Sequence, residues 1–93
     1  MISVNEYFNG KVKSLGFVSN NGKATVGVME KGDYEFGTNT VEEMIVISGK
    51  LSVKLPGREK FEEFGEGKKF IVAKDVKFLV KAMEDTSYIC YYK

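Results

Sequence analysis

The sequence predicts an all-β chain, a jelly-roll-like barrel or sandwich, on three observations. Apolar residues alternate with polar ones at a period of two almost everywhere. Turn residues punctuate the chain every eight to twelve positions, and no segment carries a convincing helical repeat. Together these predict eight or nine short strands in one domain spanning residues 1–93.

Residues 1–10 carry the weakest pattern, and Asn5-Glu6-Tyr7-Phe8 reads as a short helical turn or an arm. Asn20-Asn21-Gly22 is a hairpin signal, because Asn and Gly both tolerate positive φ. After it Val26 and Val28 alternate with Thr25 and Gly27, and Lys31-Gly32-Asp33 breaks the run. Tyr34 and Phe36 then alternate with Asp33, Glu35 and Gly37, which puts Tyr34, Phe36 and Thr38 on one face. The strand over 42–48 is apolar on both faces: Met44 and Val46 point one way, Ile45 and Ile47 the other. A strand buried twice lies between two covered surfaces. In so short a chain one is the interior and the other a partner subunit, so a homodimer is expected. Ser48-Gly49-Lys50 turns the chain into Leu51, Val53 and Leu55, and Pro56-Gly57 ends that run at a turn where proline removes no ladder bond. Gly65-Glu66-Gly67 is a further break. Val76, Phe78 and Val80 share one face of a later strand, and Tyr88, Cys90 and Tyr92 share one face of the last.

Composition excludes several classes of function. Fourteen basic residues stand against thirteen acidic ones, with the signs interspersed, so there is no electrostatic footprint for nucleic acid or an anionic membrane. Nothing resembles a signal peptide or a spanning helix, which predicts a cytoplasmic protein. The single cysteine, Cys90, has no partner for an internal disulfide and no histidine to activate it, and reads as a small buried group.

The glutamates carry the site signal. Six residues separate Glu42 from the turn glycine Gly49, the spacing of the metal-binding strand pair of a cupin. In metal cupins two histidines precede that glutamate and a third lies on a later strand. Here those positions hold Phe36, Thr38 and Phe78, and the chain has no histidine at all. A carboxylate without nitrogen partners is a poor transition-metal site, so no metal and no other cofactor is expected. Glu42 and Glu43 point to opposite faces of their strand and cannot share a site. The inward one is either a ligand anchor or an acceptor for backbone N–H groups near the turn. The face that includes Tyr34, Phe36, Thr38, Glu42, Phe78 and Tyr88 is aromatic with sparse polar groups. This is the general form of a small-molecule pocket for flat ligands, but inward phenylalanines in so small a barrel are more often a core filled by its own rings.

The segments Asn5-Glu6-Tyr7-Phe8-x-Gly10-Lys11-Val12-Lys13-Ser14, Ala24-x-Val26-Gly27-Val28-Met29, Gly32-x-Tyr34-x-Phe36, Glu42-Glu43-Met44-x-Val46-Ile47-Ser48-Gly49 and Thr86-Ser87-Tyr88-x-Cys90-x-Tyr92 resemble the bacterial pyrimidine/purine nucleoside phosphorylases over nearly the whole chain. The resemblance implies a dimeric cytosolic cupin that converts purine and pyrimidine nucleosides, with inorganic phosphate as co-substrate, to free base and (deoxy)ribose 1-phosphate. On that reading Glu42 and Thr38 are the catalytic candidates. Glu42 binds ribose hydroxyls or a ring N–H, and Thr38, helped by a lysine, meets phosphate. Tyr34, Phe36, Phe78 and Tyr88 hold the base. Lys13, Arg58, Lys77 and Lys81 are the candidate cations. The competing expectations are a non-catalytic binding cupin and a dimerisation domain with a filled interior.

Overall fold

A computed structural model describes all residues, 1–93. Ten strands form two facing antiparallel sheets: β1 (Ser3–Tyr7), β2 (Val12–Ser19), β3 (Gly22–Met29), β4 (Gly32–Gly37), β5 (Glu42–Ser48), β6 (Leu51–Lys54), β7 (Glu62–Phe64), β8 (Lys69–Val72), β9 (Lys77–Ala82) and β10 (Thr86–Tyr92). The larger sheet has the order β1-β2-β3-β10-β5-β8 and the smaller β4-β9-β6-β7. The expected jelly-roll is therefore present, but its sheets do not close into a continuous barrel. Strands β1 and β8 edge one sheet, β4 and β7 the other. No helix is long and apolar enough to cross a membrane.

Ten strands exceed the eight or nine expected. The N-terminal segment, read as a helical turn or an arm, pairs along β2 from Ser3↔Gly16 to Tyr7↔Val12. Only Phe8–Gly10 turns, as a short 3-10 segment. Pairing to a neighbour decides the outcome where local pattern is silent. The turn signals hold. Asn20-Asn21 joins β2 to β3. Pro56-Gly57 forms the centre of a turn closed by Arg58 N–H donating to the Leu55 carbonyl at 3.1 Å. Gly57, at φ +79°, supplies the left-handed residue that such a turn needs after proline.

The core lies between the sheets. Val12, Met29, Val46, Leu51, Val53, Val72 and Val80 are each at most 1% exposed. The alternation on β2 and β3 has an unexpected phase. Thr25 and Gly27 face inward, and Val26 (36% exposed) and Val28 (53%) face out. On β2 Ser14 is buried and Leu15 is exposed. Across the larger sheet, an outward row runs Val4↔Leu15↔Val26↔Ile89↔Ile45 in register. The two-faced β5 behaves as expected: Met44 and Val46 enter the core, while Ile45 and Ile47 lie outside and Ile47 is half exposed.

Candidate functional site

A cavity opens between the sheets, with Ser14 of β2 and Met29 of β3 in its wall. The inner row Asn5↔Ser14↔Gly27↔Tyr88↔Val46 and the next, Ser3↔Gly16↔Thr25↔Cys90↔Met44↔Phe70, start with small residues and end with large ones. Where Ser14 faces β4, about 480 Å³ stays unfilled. That volume is in the range of small-molecule sites. The wall is mostly apolar, with Phe8, Phe36, Phe78 and Tyr88 as rings and Ser14, Glu35 and Glu42 among the polar groups.

Four of the six predicted site residues meet here: Glu42, Phe36, Phe78 and Tyr88. Phe36 and Phe78 face each other across the β4–β9 pair with centroids 5.8 Å apart and planes 33° from parallel. Tyr88 is 7% exposed, and its ring fills the space above Gly27. A Cβ on Gly27 would lie 2.6 Å from the Tyr88 hydroxyl, so the glycine is what seats this ring. Burial pushes the Tyr88 phenol up to about 12, which keeps it protonated and available as a donor at neutral pH.

The other two lie outside the lining. Tyr34 is buried behind Phe36, at a centroid distance of 6.0 Å, and its hydroxyl donates to the Glu30 carbonyl at 2.6 Å. Thr38 Oγ1 donates to the Ala73 carbonyl at 2.7 Å and accepts from Val76 N–H at 3.1 Å. Its hydroxyl thus ties the end of β4 to the turn before β9. Sequence reasoning assigned no role to Tyr7, Phe8, Ser14, Met29, Glu35 and Met44, which also line the cavity. No periodic signal marks Ser14, a small residue on the inward face of β2.

Glu42 is half-buried at the head of β5, opposite Tyr92 and Val72. Its Oε1 accepts from the Cys90 thiol at 3.6 Å, a weak bond within sulfur range. Of the two roles left open, ligand anchor and acceptor for backbone N–H groups, the second has no such hydrogen bond behind it. Burial raises the Glu42 carboxyl above its ordinary value, and the Cys90 bond opposes this in part. Burial also pushes the Cys90 thiol up to about 12, with the Glu42 charge adding to it, so the sulfur is no nucleophile at neutral pH. Tyr92 shifts upward mainly by burial, and its hydroxyl shares a 3.0 Å bond with Thr25 Oγ1. Glu43 points outward to Lys69, with 3.8 Å between the charged atoms.

The charge of the lining is one-sided. Glu35 and Glu42 are its only formally charged groups, and none of the fourteen lysines and arginines joins them. The candidate cations sit elsewhere: Lys81 lies 4.6 Å from the centre of the Phe61 ring and Arg58 lies 3.9 Å from Glu62. Lys13 and Lys77 are exposed. A cupin-type transition metal does not fit these residues. The lining offers two carboxylates and a neutral thiol without any imidazole, and no three candidate ligands gather anywhere in the molecule.

Comparison with known proteins identifies the family and the fold. A sequence model described as "Pyrimidine/purine nucleoside phosphorylase" matches residues 2–92. A protein of that name from Pseudomonas putida (strain GB-1) is 56% identical over the whole chain and 99% of its own length. A crystal structure of a protein of unknown function from Vibrio parahaemolyticus superposes with a TM-score of 0.96 at 39% identity, covering 100% of this chain and 99% of that one. An RmlC-like cupin from Shewanella frigidimarina, at 17% identity and a TM-score of 0.75 over 97% of this chain and 81% of its own, shares the fold alone. By the full-length family match and the identity of its relatives, the chain belongs to the pyrimidine/purine nucleoside phosphorylase family.

Proposed function

We propose that the protein is a pentosyltransferase that phosphorolyses purine and pyrimidine nucleosides, releasing the free base and ribose or deoxyribose 1-phosphate. The observation that carries this reading is the cavity itself: flat rings on its walls, one raised carboxyl inside, and a family match that names the reaction. Stacking is indifferent to which base is present, because every base has a flat face. Few directional contacts then give breadth, since strong discrimination requires buried polar groups that a wrong substrate leaves unpaired.

In this reading a phosphate oxygen bonds to C1′ as the C1′–N bond breaks, and the bonding pair leaves with the base. The base then needs a proton. Glu42, kept protonated to higher pH than an ordinary carboxyl by its burial, supplies it and recovers one from the phosphate monoanion. The arriving phosphate meets no lysine or arginine in the cavity wall. The Tyr88 hydroxyl donates to the base or to the sugar. Phe36 and Phe78 hold the base, with Tyr34 buttressing Phe36. Thr38 fixes the end of β4 and so the place of Phe36. Phosphate is the co-substrate, and no cofactor takes part.

The outward apolar row from Val4 to Ile45 is proposed as the seat of a second copy, making a cytoplasmic homodimer. Mixed polar and apolar exposure is ordinary, but a row spanning five paired strands is a contiguous patch. A sedimentation mass that stays monomeric at micromolar concentration removes the dimer. The test of function is incubation with inosine and uridine, with and without phosphate, followed by chromatography. Free hypoxanthine and uracil appear only with phosphate if the reading holds. Release without phosphate, or none from either nucleoside, rejects it.

A further inference from the structure

We propose that Phe8 contacts the base directly, and that the left-handed turn Phe8–Asn9–Gly10 holds its ring over the opening of the cavity. The inference rests on the reading of that cavity as a nucleoside site. Three successive residues there have positive φ: Phe8 at 54°, Asn9 at 58° and Gly10 at 85°. Glycine adopts this region freely and asparagine with little penalty, but for a bulky side chain such as phenylalanine it is an outlier. Backbone strain of this kind persists only where the surroundings impose it, and it gathers at ligand sites.

The surroundings are visible. Lys11 N–H donates to the Phe8 carbonyl at 3.2 Å, and Glu30 N–H donates to the Lys11 carbonyl at 2.8 Å. The turn is thereby tied to the β3–β4 connection, where Tyr34 holds the Glu30 carbonyl. The strained conformation turns the Phe8 ring against the cavity wall. Its centroid lies 5.0 Å from that of Tyr34 and 5.6 Å from that of Phe36, edge-on to the latter.

Core packing alone does not account for the placement. Phe8 remains 42% exposed, whereas the neighbouring wall ring Phe78 is 3% exposed. A ring that packs on the wall, lines the cavity and keeps so much of its surface free has a face to offer an incoming ligand. Phe8 is also the one aromatic wall residue supplied by a turn; Phe36, Phe78 and Tyr88 come from β4, β9 and β10.

The test compares F8L, which keeps apolar bulk without a flat face, with F8W, which keeps the face. Each is assayed for phosphorolysis of inosine and uridine, and for binding of inosine by calorimetry without phosphate. Leucine raises KM, and the dissociation constant, about tenfold for purine and pyrimidine alike, with kcat changed less, and tryptophan stays close to wild type. An F8L enzyme with wild-type KM and affinity overturns the proposal, as does equal weakening by leucine and tryptophan, which would mark a packing role. The binding arm separates this proposal from the reaction it rests on. If wild type binds inosine without turning it over and F8L weakens that binding, Phe8 stands and phosphorolysis falls. If wild type binds no nucleoside, both fall.

Discussion

The two halves of the space between the sheets differ although the same sheet covers both. Under β5 and β8 the inward residues are Met44, Val46, Phe70 and Val72, all at most 5% exposed. They meet Leu51, Val53 and Phe64 of the smaller sheet, and Phe64 and Phe70 pack with centroids 4.8 Å apart. Under β2 and β3, between the buried Val12 and Met29 at one end and Ala24 at the other, the inward residues are the small Ser14, Gly16, Thr25 and Gly27. Small residues cannot span the gap of about 10 Å between packed sheets. The first half is consequently solid and the second is hollow. Glu42 and Met44 of β5 stand at the border, both in the cavity wall.

The largest expected effect breaks the hollow half without touching the solid one. Glu42→Gln keeps shape and removes the transferable proton, and phosphorolysis of inosine falls about 10²–10⁴-fold, the usual contribution of a positioned acid. A variant within a factor of a few of wild type would take Glu42 out of the mechanism. The converse is Leu51→Ala, in the solid half at 0% exposure. It costs about 2–5 kcal/mol in urea unfolding, as buried leucines do, while KM in the enzyme that remains folded is unchanged. A shifted KM would show that the halves are coupled.

A subtler change sharpens the boundary between them. Gly27→Ala puts a Cβ against the Tyr88 hydroxyl and 2.9 Å from the Lys13 carbonyl. Overpacking of this sort costs about 1–3 kcal/mol and displaces Tyr88, so both stability and kcat/KM decline. Gly27→Ala with Tyr88→Phe, which removes the clashing oxygen, recovers part of the stability but not the activity.

The pH dependence of stability carries a sign. The Glu42 carboxyl is raised in the folded protein, so the native state holds its proton to higher pH than the unfolded chain does. Its favourable contribution is present below the unfolded value and is lost as pH rises toward the folded one. Glu42→Gln has no such loss. The urea midpoint of the variant therefore gains on wild type as pH climbs from the carboxyl range toward neutrality, and a gap that is constant with pH would contradict the shift. The smallest effect is at the adjacent residue. Glu43 faces solvent and Lys69, whose side chain is 58% exposed, so Lys69→Ala changes stability by less than about 1 kcal/mol.

Much of the strand framework was legible in the sequence, but the contrast between the halves was not. The period of two marked most strands, because alternation reflects the pleat directly. The apolar β5, the turn at Pro56-Gly57 and the opposite facing of Glu42 and Glu43 followed from the same geometry. The phase of β3 did not follow from pattern. Val26 and Val28 look like a core face, and only the larger sheet's context turns Thr25 and Gly27 inward. Strand β1 was missed because its pairing with β2 is long-range in energy though short in sequence. At the site, Glu42, Phe36, Phe78 and Tyr88 came from spacing and parity. Phe8 and Ser14 did not, since a left-handed turn and a small inward residue leave no periodic trace. Tyr34 and Thr38 have the parity of wall residues, yet hydrogen bonds to the Glu30 and Ala73 carbonyls hold them behind or beside the wall.

The lone sulfhydryl gives the hollow half a reporter of its own. Cys90 lines the cavity and is only 2% exposed, so an alkylating reagent must come through the same entrance that a nucleoside uses. Occupancy and labelling then exclude one another. Because burial holds that thiol protonated at neutral pH, its capture calls for alkaline solution, and there the rate becomes a clock for how often the doorway stands empty.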